Sequence, residues 1–127
     1  MQKFTLGRPE KLKSETLISS LFSEGKGQSN FPLKIIYKKI EADKSISPVQ
    51  VCFSVPKRNI KKATQRNRIK RLLRECYRLN KHSFYENLAK REIKLAIIIL
   101  YLDKKEHNFH LLYSKLNEAL IKVSNAV

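Results

Sequence analysis

The sequence predicts an α+β fold, a single-domain sandwich in which a small mixed sheet is packed by helices in the order αββα(α)βα. Three observations carry that prediction. Apolar residues alternate over 31–40 and 49–55, as strands with two unlike faces require. The unbroken run Leu95-Ala96-Ile97-Ile98-Ile99-Leu100 predicts a strand buried on both faces. Two stretches, 63–79 and 108–123, repeat apolar residues at helical spacing.

Taken in order, residues 1–11 are polar and basic and are expected to be extended and flexible. Ser14 can cap a first helix over 15–23, where Leu17, Leu21 and Phe22 recur on one side. Gly25 and Gly27 are expected to end it. In the first strand, Leu33, Ile35 and Tyr37 share one face, and Lys34, Ile36 and Lys38 the other. A polar connection, 41–48, leads to the second strand. There Val51, Phe53 and Val55 alternate with Gln50, Cys52 and Ser54 until Pro56, which cannot donate to a ladder. A basic loop, 57–62, precedes the clearest helix, which Asn80 is expected to stop, with a short helix following at 84–90. The third strand occupies 94–102. In the last helix Phe109, Leu112, Tyr113, Leu116, Ala119, Leu120 and Val123 form a regular stripe.

The chain has 127 residues, 42% of them hydrophobic and 30% charged, enough for one core and too apolar for a disordered tail. Lys and Arg number 27 against 11 acids, a formal charge of +16. A pI near 10.1 calls for an anionic partner, which nucleic acid, an acidic membrane surface or an acidic protein could each be. Clustered Lys and Arg at such a pI fit the electrostatic footprint of nucleic-acid binding best. The first ten residues contain no apolar run, so no secretory signal is expected. The longest apolar run falls far short of the roughly 20 residues of a membrane helix. Cys52 and Cys76 sit among apolar neighbours and read as reduced, buried thiols, which places the chain in the cytoplasm.

Positive charge concentrates in one place. Residues 57–81 hold eleven basic side chains (57, 58, 61, 62, 66, 68, 70, 71, 74, 78, 81) and one acid, Glu75. At about 100° per residue, Ile69, Leu72, Leu73 and Cys76 face the core. Arg66, Lys70 and Arg74 follow one flank, Asn67, Arg71 and Arg78 the solvent face, and Arg68 the other flank with Glu75. Like charges at i, i+4 destabilise a helix by a few tenths of a kcal/mol per pair, so fold stability does not explain the arrangement. A polyanion does: Arg makes bidentate contacts to phosphate and Lys supplies point charge. The helix start adds its positive dipole end beside Lys61 and Lys62. Asn67 either hydrogen-bonds an RNA sugar, phosphate or base edge, or braces a neighbouring arginine or the helix start.

Ser54-Val55-x-Lys57-Arg58 followed by RNRIKRLLRE at 66–75 resembles the signature of the protein subunit of bacterial ribonuclease P. The resemblance extends over most of the chain. It implies a left-handed parallel crossover through the signature helix, against the usual hand. It also implies partners, the ribonuclease P RNA subunit and precursor tRNA. The RNA would carry the Mg2+-dependent phosphodiester cleavage that matures the tRNA 5′ end, with no cofactor in the protein itself. The protein would hold the single-stranded 5′ leader in a cleft between the sheet and the first helix. Family glycines are absent from the second strand and the following loop, where Cys52 and residues 59–62 stand, and that loop is one residue longer. Ile18 occupies a position where an aromatic is common, whereas Phe22 matches.

The expected RNA-binding residues are Lys57, Arg58, Lys61, Lys62, Arg66, Asn67, Arg68, Lys70, Arg71, Arg74 and Arg78. Stacking on unpaired bases could involve Phe22, Phe31, Tyr37 or Phe53, although apolar alternation explains each as a core residue too. A protein nuclease would cluster carboxylates around metal ions. The two aspartates, Asp43 and Asp103, lie in different polar loops, and no metal-ligand spacing appears. Glu106 and His110 could touch at i, i+4, but read as a solvated pair at a helix start. The competing reading is a structural RNA-binding module of ribosomal-protein type. A protein catalyst acting alone and a basic membrane-surface protein have less in their favour, the latter for want of an exposed amphipathic basic helix with aromatic anchors.

Overall fold

The computed structural model describes residues 10–41 and 47–127. Its elements are α1 (Glu15–Glu24), β1 (Lys26–Asn30), β2 (Leu33–Lys39), β3 (Val49–Ser54), α2 (Ala63–Lys90), β4 (Leu95–Tyr101) and α3 (Phe109–Ala126). The strands form one mixed sheet in the order β1-β2-β4-β3. β2 is antiparallel to β1 and β4, and β3 runs parallel to β4. The parallel pair requires a crossover, and α2 supplies it.

The pleat divides the apolar residues into two cores. On one face Ile35, Ile97, Ile99 and Val51 meet Ile69, Leu73, Tyr77 and Leu88 of α2 and Leu112, Leu116 and Val123 of α3. On the other, Ile36, Ala96 and Ile98 meet Leu21 of α1 and Leu12 ahead of it. β4 lies between two strands and two helical layers, which is why its apolar run has no polar alternation.

Ser14 caps α1 as expected, its side chain accepting from the Leu17 N–H at 3.2 Å. Gly25 ends the helix for a packing reason. A Cβ there would collide with the Leu21 carbonyl oxygen and stand 2.7 Å from Ile36 Cγ2.

Three expectations change. First, Gly27 does not merely trail a helix: residues 26–30 form an edge strand pairing Gln28 with Ile35. Its sequence, KGQSN, has no apolar alternation, so only backbone pairing to β2 reveals it. Second, α2 runs 28 residues without a break, and Asn80 does not stop it. The Asn80 amide donates to the Tyr113 carbonyl of α3 at 3.3 Å, and Phe84 and Leu88 carry the buried stripe onward. The helix ends where Glu92 takes φ 55° and the Ile93 N–H returns to the Leu88 carbonyl at 2.9 Å. Third, Glu10 and Lys11 are anchored. Lys11 bridges to Val51, and the Leu12 N–H donates to the Val51 carbonyl at 2.9 Å. The rest of the stretch expected to be flexible, 1–9, lies outside the described residues, as does 42–46 of the polar connection.

Candidate nucleic-acid interface

The loop between β3 and α2 is built to a fixed shape. The Pro56 carbonyl accepts from the N–H groups of Asn59 at 3.0 Å and Ile60 at 3.2 Å, and Ile60 is buried in the main core. The Asn59 amide donates to the Tyr101 carbonyl at 3.4 Å. Arg66, from the first turn and a half of α2, donates one Nη to the carbonyls of Ile60 at 2.9 Å and Lys61 at 2.7 Å. Arg66 is therefore a brace that fixes where Lys61 and Lys62 stand. Lys62 occupies the N-cap position with no side-chain cap bond, and no acid lies in the first turn. The partial positive end of a long helix is thus left uncompensated next to two lysines.

The remaining cations of α2 fall into two groups. Arg68 makes a bidentate pair with Glu106, Nε to Oε1 at 2.8 Å and Nη2 to Oε2 at 2.9 Å. Arg78 holds Glu75, one turn away on the same helix, with Nε to Oε2 at 3.1 Å. Each arginine keeps its acid's carboxyl below the usual range, in both cases first through the hydrogen bond. By contrast the side chains of Lys57, Arg58, Lys61 and Lys62, together with those of Arg71 and Arg74, are exposed and make no hydrogen bond or ion pair among the described residues. Lys70 is half-buried beside Cys52 and equally without a bonded partner among them. Asn67 is exposed and its amide braces nothing there, which removes the structural half of its two expected roles. An open face of Lys and Arg remains, and polyphosphate is the ligand that such a face fits.

Glu106 does not pair with His110; it reaches across to Arg68 on α2 instead. That bond docks the β4–α3 loop against the cationic helix. Asp103 holds the loop's shape, accepting from the Lys104 N–H at 2.7 Å and meeting His107 Nε2 at 2.6 Å. Sequence reasoning missed this loop because its link to the interface spans 38 residues and carries no local signal.

The aromatic candidates separate cleanly. Phe22 and Phe31 are 57% and 63% exposed, the first on α1 and the second at the β1–β2 turn. Phe53 is half-buried, its ring edge-on to Tyr77 at 5.7 Å. Tyr37 must be withdrawn as a stacking residue: it is 7% exposed and packs in the main core, so no ring face is open. The cleft between α1 and the sheet has a volume of about 530 Å³ and polar walls that include Ser20, Lys38 and Gln50. Lys38 is tied there to Ser20 at 2.5 Å and Glu24 at 2.7 Å.

Beyond the sheet edge, Lys81 is a cation of another kind. It is buried, and its ammonium donates to both oxygens of Glu10, at 2.9 and 2.7 Å. The Tyr85 hydroxyl donates to the same carboxylate at 2.7 Å, so Tyr77, 2.9 Å from Tyr85, must donate to the Tyr85 oxygen. Burial pushes both phenols up, keeping them neutral donors.

Comparison with known proteins agrees with this geometry. A family model described as Ribonuclease P matches residues 6–124. The ribonuclease P protein component of Porphyromonas gingivalis is 31% identical over 124 residues, covering 98% of this chain and 90% of that protein. That of Chlorobium phaeobacteroides is 37% identical over 125 residues, covering 91% and 86%. Among solved structures, the Staphylococcus aureus RNase P protein superposes with TM-score 0.71 at 18% identity, over 90% of this chain and 94% of that one. The Thermotoga maritima RNase P protein gives 0.68 at 23% identity, over 89% and 96%. With an open cationic helix on a shared fold and a match over nearly its whole length, the chain belongs to the ribonuclease P protein family.

Proposed function

We propose that this chain is the protein subunit of ribonuclease P, binding the catalytic RNA subunit and the 5′ leader of precursor tRNA so that the leader is cut off endonucleolytically. The single observation that carries the reading is the set of side-chain cations left without a partner among the described residues on α2 and the loop before it: Lys57, Arg58, Lys61, Lys62, Lys70, Arg71 and Arg74. Phosphate contacts of this kind supply affinity and register without reading sequence. The chemistry in this reading belongs to the RNA partner, where bound Mg2+ would supply Lewis-acid chemistry for phosphodiester cleavage, and this chain's own residues bind and position RNA. The acids beside the cationic face support a binding rather than a cutting role for the protein. Glu75, Glu106 and Asp103 are each committed to a separate partner, Arg78, Arg68 and His107, instead of converging. We also place the chain in the cytoplasm, a reading supported by its free thiols; no described helix is long and apolar enough to cross a membrane.

The test is reconstitution. Adding the full chain to a ribonuclease P RNA and precursor tRNA at low Mg2+ is expected to raise the rate of leader removal. Cleavage that is the same with and without protein would overturn the reading and leave a structural RNA-binding module.

A further inference from the structure

We infer that the groove between the segment before α1 and helix α2 takes one unpaired nucleotide of an RNA, with its base against Phe53 and its phosphate on Arg71 and Arg74. The inference rests on the RNA-binding reading above and adds a subsite to it. The groove has a volume of about 590 Å³, within the range of sites that enclose a small ligand. Its floor is the outer edge of β3, including Cys52 and Phe53. β3 is an edge strand whose free side is covered only by the bridge from Lys11 to Val51 among the described residues.

The two rims are cationic. Lys11 and Lys13 stand on one, Arg71 and Arg74 on the other; all are exposed and unpaired among the described residues. The one acid in the lining, Glu75, is already held by Arg78. An apolar, aromatic floor between two positive rims suits a flat base that carries its own anion. A duplex would meet the rims with its phosphates and leave the floor unused. Phe53 is suited to stacking because its edge-on contact with Tyr77 fixes the ring at an interplanar angle of 80°. The source of the nucleotide is either RNA of the holoenzyme, and the test separates the two.

Cys52 reports on the groove directly. Cys52 and Cys76 are the chain's two cysteines, both free, and Cys76 is fully buried. The full chain is treated with N-ethylmaleimide alone, with precursor tRNA, with a ribonuclease P RNA, and with both, and modification of Cys52 is followed by mass spectrometry. The RNA that fills the groove is expected to slow modification about tenfold when present at ten times its Kd. The arm that protects identifies the source. Unchanged modification while filter binding shows the RNA bound overturns the subsite and leaves the proposed function standing. Failure of any RNA to bind brings down both. In parallel, Phe53→Leu keeps an apolar contact with Tyr77 but removes the π face. It is expected to weaken RNA binding about five- to a hundredfold, and Phe53→Trp to restore it. Phe53→Leu with wild-type affinity, in a protein that circular dichroism shows folded, also overturns the subsite.

Discussion

The two halves of α2 use positive charge in opposite ways. In the first half Arg71 and Arg74 project into solvent with no partner among the described residues. In the second half Lys81 is 4% exposed and locked to Glu10, beneath Tyr85 and Tyr77. A buried charge must be matched where it stands, because desolvation otherwise costs several kcal/mol. An exposed charge carries no such requirement and can be left for a ligand. The helix is therefore an anchor at one end and a contact surface at the other. The contrast teaches that charge density along a sequence marks a region but not a role.

The sharpest way to break the comparison is at Lys81. Lys81→Met leaves the partly buried Glu10 carboxylate without the Lys81 ammonium and is expected to lower unfolding stability by about 3–5 kcal/mol in urea titration. Lys81→Met combined with Glu10→Gln should recover part of that loss. A single variant as stable as the parent would mean that the network anchors nothing. Next in size, Leu73→Ala should cost about 2–5 kcal/mol, since Leu73 is fully buried on the core stripe. Leu72, only partly buried against that core, should cost less on truncation. In both leucine variants the folded fraction should bind RNA normally.

Arg74→Ala inverts the pattern. Its stability should stay within about 0.5 kcal/mol of the parent, as for surface sites generally. The slope of its log affinity against log salt should flatten by roughly 0.7–0.9 for each phosphate that the arginine had neutralised. An unchanged salt slope in both Arg71→Ala and Arg74→Ala would remove the open face from the interface. The smallest effect belongs to Glu106→Gln. Arg68 lowers the Glu106 carboxyl, so the pair contributes above the ordinary carboxylate pKa and is lost as pH falls through the lowered value. The thermal midpoints of parent and variant should differ slightly at neutral pH and converge well below about pH 4.3. A difference that persists in acid would assign the effect to something other than the ion pair.

Much of this was legible in the chain because it is local. Ser14 as a cap, the alternation in β2 and β3, the doubly buried β4 run and the apolar stripe of α3 all depend on neighbours a few residues away. The cationic region was legible for the same reason, since eleven basic residues within 57–81 are a linear signal. The rest needed partners distant in sequence. Strand β1 exists because β2 offers a ladder to a polar segment with no pattern of its own. Asn80 continues a helix, although such a residue often ends one, because Tyr113 of α3 satisfies its amide. Tyr37 is a core residue because it packs among the buried side chains of the main core. The sequence by itself determined the layers, the central strand and the location of the positive charge, since spacing and composition fix those one segment at a time. Only the tertiary structure decided which charges stay open, because an acid reaches its base through space: Glu106 from 38 residues away to Arg68, and Glu10 from 71 to Lys81.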